Sequence, residues 1–166
     1  LITVTRALPA FEAISASGAA HIVIERTGSE GVHITAEDNL IPYLEAEVRG
    51  GVLYIGPRSG FSLSPRREMV FYVEAYEVVE VQGSGAVSIE ADLGWVPELW
   101  VTLSGASSLT AWGSADAADI FISGASRYDA LDLESLDTWI EASGASTAWV
   151  WARRLLDVRA SGASHV

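Results

Sequence analysis

The sequence predicts an all-β solenoid with coils of about 20 residues, and three observations carry that expectation. First, one phrase keeps returning: Ser104-Gly105-Ala106-Ser107, Ser123-Gly124-Ala125-Ser126, Ser143-Gly144-Ala145-Ser146 and Ser161-Gly162-Ala163-Ser164. Ser84-Gly85-Ala86 precedes them and Ser17-Gly18-Ala19 is a distant first copy; from Gly85 onward the glycines are 20, 19, 20 and 18 residues apart. Second, Ile14, Val81, Val101, Ile120, Ile140 and Val158 all stand four positions before a glycine, and all are β-branched. Third, apolar residues alternate with polar ones on both sides of each phrase, the period-two pattern of strands with one buried face.

Each repeat therefore reads as strand, tight Ser-Gly-Ala corner, strand. Stacking such units builds a β-branched core ladder (Ile14, Val81, Val101, Ile120, Ile140, Val158). It also builds a corner ladder of Ser17, Gly18, Ser84, Gly85, Ser104, Gly105, Ser123, Gly124, Ser143, Gly144, Ser161 and Gly162. A lone coil cannot bury enough apolar surface to offset the entropy of ordering its backbone, so such units come in rows.

The elements are expected in the following order. Leu1 to Arg6 has strand composition, set apart by Pro9. Phe11 to Ala16, the first Ser-Gly-Ala corner and His21 to Glu25 form a first pair of arms, and Val32 to Ala36 is another alternating strand. Asp38 to Leu44 is a turn or a single helical turn that Asp38 is placed to cap. Gly50-Gly51 joins Glu45–Arg49 to Val52–Ile55 as a two-residue hairpin. Arg58 to Arg67, rich in Ser, Pro and Gly, is a surface loop. Met69–Ala75 and Val78–Gln82 lead into the array, whose coils are joined by short linkers at 94–97, 113–117, 132–137 and 152–154. No stretch keeps a helical period over three turns. The expectation is a single domain over 1–166, irregular in 1–82 and regular in 83–166.

Composition narrows the function classes. Of 166 residues, 49% are hydrophobic and 19% charged, which excludes disorder. The formal net charge is −12 with no lysine, so nucleic acid and anionic membrane are disfavoured, while cations and basic partners are admitted. No apolar run reaches the length of a membrane span. Without cysteine there is no disulfide framework and no thiolate metal site. The chain starts at Leu1, consistent with a removed leader, and its poverty in Asn, Gln, Met and Cys fits heat resistance.

Several phrases in a fixed order resemble a known family. Phe-x-x-Ile-x-x-Ser-Gly at the first corner is followed by Glu-Asp-Asn-Leu-Ile at 37–41 and Gly-Gly-Val-Leu-Tyr-Ile at 50–55, and then by the serial Ser-Gly-Ala-Ser repeats. Together they resemble the auto-transporter adhesin head GIN domain of bacterial envelope proteins. The resemblance implies a right-handed β-helix-like solenoid that is secreted, periplasmic or held at the cell surface, with no established enzymatic activity.

The residues themselves give little purchase for catalysis. His21 and His165 share an outward coil position and His33 stands alone, without partners at metal-ligand spacing. The serines sit at corners, not at a strand-to-helix elbow. Glu90 and Asp129 share one outward position with Thr110 between them, and Asp119 and Asp157 share another with Trp139 between them, so neither pair lies on adjacent coils. No enzyme activity and no cofactor is expected. Trp100, Phe121 and Trp139 are expected to face outward as an apolar stripe, which on a soluble protein marks an interaction surface; Trp112, Trp149 and Trp151 follow the corners in a less certain phase. With few basic residues nearby, contact between subunits is favoured over a ligand.

Two function classes follow. One is a structural envelope or extracellular protein that assembles head to tail into a fibre, the first coil continuing the ladders of a neighbour's last coil or Leu1–Arg6 being donated as a strand. The other is a carbohydrate- or surface-binding adhesin module.

Overall fold

The computed structural model describes residues 1–166. Twelve strands follow in chain order: β1 (Ile2–Ala7), β2 (Ala13–Ala16), β3 (His21–Arg26), β4 (Gly31–Ala36), β5 (Leu44–Arg49), β6 (Val52–Pro57), β7 (Val70–Ala75), β8 (Glu80–Gly83), β9 (Ser88–Leu103), β10 (Ser108–Ile122), β11 (Arg127–Ala142) and β12 (Thr147–Ala160). A single 3-10 turn at Ile41–Tyr43 interrupts them. Asp38 does not cap that turn; its carboxylate accepts the Asn39 N–H instead, at 2.9 Å.

The strands form two stacks. One runs β1-β4-β7-β3 and then through the first arms of β9, β10, β11 and β12; the other runs β5-β6-β2-β8 and then through the second arms of β9 to β12. Pairing is parallel everywhere except at β1–β4, β4–β7 and β5–β6. The Ser-Gly-Ala corners connect the stacks on one side. On the other side β9 to β11 pass straight from one stack to the next as strands of 15 or 16 residues. The expected linkers are thus parts of continuous strands, bent at Gly94 and Gly113 and shifted in register near Trp112/Gly113 and between Ala130 and Asp137. Glycine is needed at both bends. A Cβ on Gly113 would stand 2.2 Å from the Gly94 carbonyl oxygen, and one on Gly94 would strike the Arg26 guanidinium. That guanidinium donates to the carbonyls of Tyr76 and Trp95, both at 2.9 Å, and so clamps the bend.

The corners stack as the repeats predict. The Ala N–H of each corner donates to the Gly carbonyl of the coil before it: Ala106 to Gly85, Ala125 to Gly105, Ala145 to Gly124 and Ala163 to Gly144, all at 2.7 or 2.8 Å. The last serine turns back inside its corner in three of the four phrases, Ser107 to the Ser104 carbonyl and Ser146 to the Ser143 carbonyl at 2.8 Å and Ser164 to the Ser161 carbonyl at 2.7 Å, while the buried Ser126 hydroxyl has no partner.

One continuous core threads the coils. Ile14, Val81, Val101, Ile120 and Ile140 are buried in mutual register. Val158 departs from the expected ladder. It pairs with Ile140 but is 39% exposed, because no further coil covers the inner face of β12. Leu156 beside it is 47% exposed for the same reason.

The beginning of the solenoid also departs from expectation. The Ser17-Gly18-Ala19 corner is internal: β6 and β7 form a coil beneath β2 and β3, and Pro57 packs against Gly18. β1 pairs with β4 of its own chain and is not free for donation. The outermost strands there are β1 and β5. Leu44 and Ala46 of β5 close the core, while Glu45 and Glu47 face out against Arg49 and Arg58, charges that blunt an edge.

Tyr128 fills the core of the regular half, and burial pushes its phenol above the ordinary value near 10. The folded state therefore keeps a proton that the unfolded chain releases above about pH 10, and this stabilisation is full below that pH and lost as pH rises. In an alkaline titration followed by tyrosine absorbance, one phenol is expected to ionise only as the protein unfolds. Tyr128→Phe should move alkaline unfolding to higher pH. Tyr72, raised to about 12 by its hydrogen bond to Glu25, keeps its own share.

Candidate functional site: an aromatic and acidic groove

The outward residues of β9 to β12 in the second stack form a regular grid. One column reads Glu80, Trp100, Asp119, Trp139, Asp157, and the column two residues on reads Gln82, Thr102, Phe121, Glu141, Arg159. Alternation puts both columns on the solvent side because Val101, Ile120 and Ile140 between them point into the core. Trp100, Phe121 and Trp139 are 40%, 50% and 37% exposed, as the sequence leads one to expect. Beside Phe121 and Trp139 lies a cleft of about 200 Å³ lined also by Asp119, Glu141, Asp157 and Arg159, with Trp100 one strand outside it, opposite Asp119.

The sequence already sets Trp139 between Asp119 and Asp157 in one outward column; parallel register adds Glu141 and Arg159 beside them. None of Asp119, Glu141, Asp157 and Arg159 is in an ion pair; elsewhere Arg26, Arg49, Arg58, Arg153 and Arg154 are paired and Arg6, Arg66, Arg67 and Arg127 are not. Arg154 beside Asp137, for example, holds that carboxyl below its usual range through a hydrogen bond. The groove thus combines flat apolar faces with polar groups that have no partner inside the protein.

The other sequence candidates are not brought together. His21 lies near Glu68 and Glu90, at 3.8 and 3.6 Å. His165 sits at the far end of the same column, and His33 is on β4, 2.9 Å from the Thr5 hydroxyl. Thr110 separates Glu90 from Asp129 and Trp139 separates Asp119 from Asp157. No group of three or more His, Asp and Glu side chains is arranged to hold a metal ion. Trp149 lies under the Arg127 guanidinium, 4.4 Å from its ring centre, and Trp95 and Trp151 stand exposed at the opposite bend of the coils.

Residues 10–166, nearly the whole chain, match the family described as "Putative auto-transporter adhesin, head GIN domain". The chain belongs to that family. Solved structures share the fold at low identity. A "putative adhesin" from Bacteroides fragilis NCTC 9343 is 13% identical with a TM-score of 0.71, over 99% of this chain and 94% of its own. A "putative lipid binding protein" from Parabacteroides distasonis ATCC 8503 is 17% identical with a TM-score of 0.65, over 99% and 96%. A second protein of that organism, again a "putative adhesin", is 13% identical with a TM-score of 0.61, over 99% and 95%. No curated protein matches the sequence. No helix is long and apolar enough to cross a membrane.

Proposed function

We propose that this head GIN domain is a non-enzymatic adhesin module of the cell surface or extracellular space that grips a glycan through the Trp100–Trp139 groove. The observation that supports this most is the alternation of exposed rings with unpaired carboxylates along one column. Aromatic faces stack on sugar rings, and unpaired polar groups beside them fix orientation. The same alternation counts against burial of this face on a second copy, since a self-complementary contact would set Asp119, Glu141 and Asp157 against like charges. The open cleft gives its carboxylates no dry enclosure of the kind that tunes a general acid.

A glycan array tests this. Wild-type protein should bind at least one glycan class, and Trp100→Ala with Trp139→Ala should lower that binding by roughly tenfold or more, given about 1–3 kcal/mol per stacked ring. The bound glycan should be recovered intact; shortened products would overturn the non-enzymatic part, and binding unchanged in the double variant would overturn the site.

A second reading, head-to-tail assembly into a fibre, draws on a different feature. Beyond the bridge from Thr147 to His165, the outer edge of β12 is unpaired, and Leu156 and Val158 are exposed there. β5 and β1 terminate the same two stacks at the other end, so a following copy would set each edge over the corresponding stack. Light scattering at high protein and salt concentration should then show growth that Val158→Asp abolishes without unfolding the chain. Wild-type protein that stays monomeric would contradict it. The stacked core is also expected to resist heat, which calorimetry checks.

A further inference from the structure

The groove's charge pattern goes further than a generic glycan, and the geometry points to a cationic ligand: an extended β-1,4-linked polymer of amino sugars lying along the solenoid axis. This inference rests on the glycan reading above and names the class of glycan.

Spacing and charge both support it. Parallel strands lie about 4.8 Å apart, so Trp100 and Trp139, two strands apart in one column, are separated by roughly 9.5 Å, with Asp119 midway and Asp157 one strand beyond. An extended β-1,4-linked glycan advances by close to one strand spacing per ring, and its successive rings are related by a two-fold screw, so every second ring repeats by translation. Rings that repeat by that translation therefore meet Trp100 and Trp139, and the rings between them, turned over by the screw and equivalent among themselves, meet Asp119 and Asp157.

The intervening rings then face carboxylates that lack any partner within the chain. Glu141 adds a third from the neighbouring column, against the single positive charge of Arg159 at the end of the cleft. An uronate or sulfated chain would set its charge against this surface and against a protein of formal net charge −12. A neutral chain would leave the carboxylates solvated and gain only the stacking. A 2-amino sugar supplies an ammonium where each carboxylate waits, and a cation beside Trp adds its attraction to the ring face.

The test is titration calorimetry at about pH 5.5 with three hexamers: β-1,4-linked glucosamine, cellohexaose of the same backbone, and oligogalacturonate. The glucosamine hexamer should bind about tenfold more tightly than cellohexaose, the scale of two exposed ion pairs. Its affinity should fall with added salt, and oligogalacturonate should not bind. Asp119→Asn with Asp157→Asn should remove the preference over cellohexaose, while Glu68→Gln with Asp132→Asn, of equal charge change outside the groove, should leave it in place. Trp139→Ala should weaken both hexamers.

Four outcomes overturn the inference. Cellohexaose binding as tightly as the amine, and losing affinity in Trp139→Ala, removes the preference for cations while leaving the adhesin groove intact. Equal loss in the two charge variants shows general attraction to an acidic protein. Full competition by a hexalysine peptide, with no dependence on Trp139, assigns the groove to a basic peptide instead. Absence of binding by all three hexamers, alongside groove-dependent binding of another glycan on the array, keeps the adhesin reading and removes this one. Only failure of the array itself removes both.

Discussion

Ile120→Asp is expected to leave no cooperatively folded protein at room temperature. Ile120 is 1% exposed and sits between Val101 and Ile140 in the centre of the core ladder. A carboxylate there has no partner, and an unpaired buried charge falls in the class of substitutions that cost more than about 4 kcal/mol. A domain of this size has roughly 5–15 kcal/mol in hand, and in a repeat stack the loss falls on two coil interfaces at once. The comparison that gives the experiment its force is Val158→Asp. Valine and isoleucine occupy the same column, but Val158 is 39% exposed at the end of the stack, so its aspartate stays hydrated and the melting temperature should drop by only a few degrees. Circular dichroism melts of the two variants check both. Equal losses would mean that the open inner face of β12 is covered in solution.

Gly124→Val should be nearly as damaging, through the backbone and not through burial. Gly124 has φ +71, and a Cβ there would stand 2.4 Å from the Gly105 carbonyl oxygen. That oxygen accepts the Ala125 N–H at 2.8 Å, so moving it away opens the very bond that stacks the corners. A left-handed conformation alone costs a β-branched residue on the order of 1–2 kcal/mol; displacing two coils and losing that corner hydrogen bond adds about as much again. A total of about 2–4 kcal/mol is expected from these two parts. Two other glycines separate the parts. Gly50→Ala keeps the left-handed strain at φ +59 but meets nothing within 4 Å, and Gly28→Ala has neither strain nor contact. Urea unfolding should rank the losses with Gly124→Val first, Gly50→Ala second and Gly28→Ala last and near zero. A Gly124 variant no worse than Gly50→Ala would show that the corners do not pack as closely as described.

These variants also mark how far the sequence can be read. The regular half was legible because every coil repeats the same stereochemical demands: glycine where φ is positive and carbonyls stack, β-branched residues where strands face the core. Gly94 and Gly113 obey the same rule at the opposite bend and stand 19 residues apart, but only two glycines mark that bend. Two points do not declare a ladder, so the bend looked like a linker. The first half was less legible because its stacking order is not its chain order. β6 and β7 lie beneath β2 and β3 although they come later, and nothing in the residues near Ser17 announces that Pro57 will cover their corner. Val158 stands in the expected register with Ile140 but is exposed: local pattern gives the direction of a side chain, while its burial depends on what stacks above it.

The groove lies between these cases. Period-two alternation gave Trp100, Phe121 and Trp139 their outward direction. Spacing from the glycines already set Asp119, Trp139 and Asp157 in one column; Glu141 beside Phe121 needed the register. Once placed there, acidic residues that read singly as a solvated face become the neighbours of aromatic rings. That juxtaposition moves the balance from subunit contact toward a ligand.

Oxidative footprinting of the protein with and without its bound glycan tests the site most directly, because tryptophan and phenylalanine report their own exposure. Bound glycan should protect Trp100, Phe121 and Trp139 and leave Trp95 and Trp151, exposed at the opposite bend, as reactive as before. Protection at Trp95 and Trp151 with the groove still reactive would place the binding surface elsewhere and contradict the account.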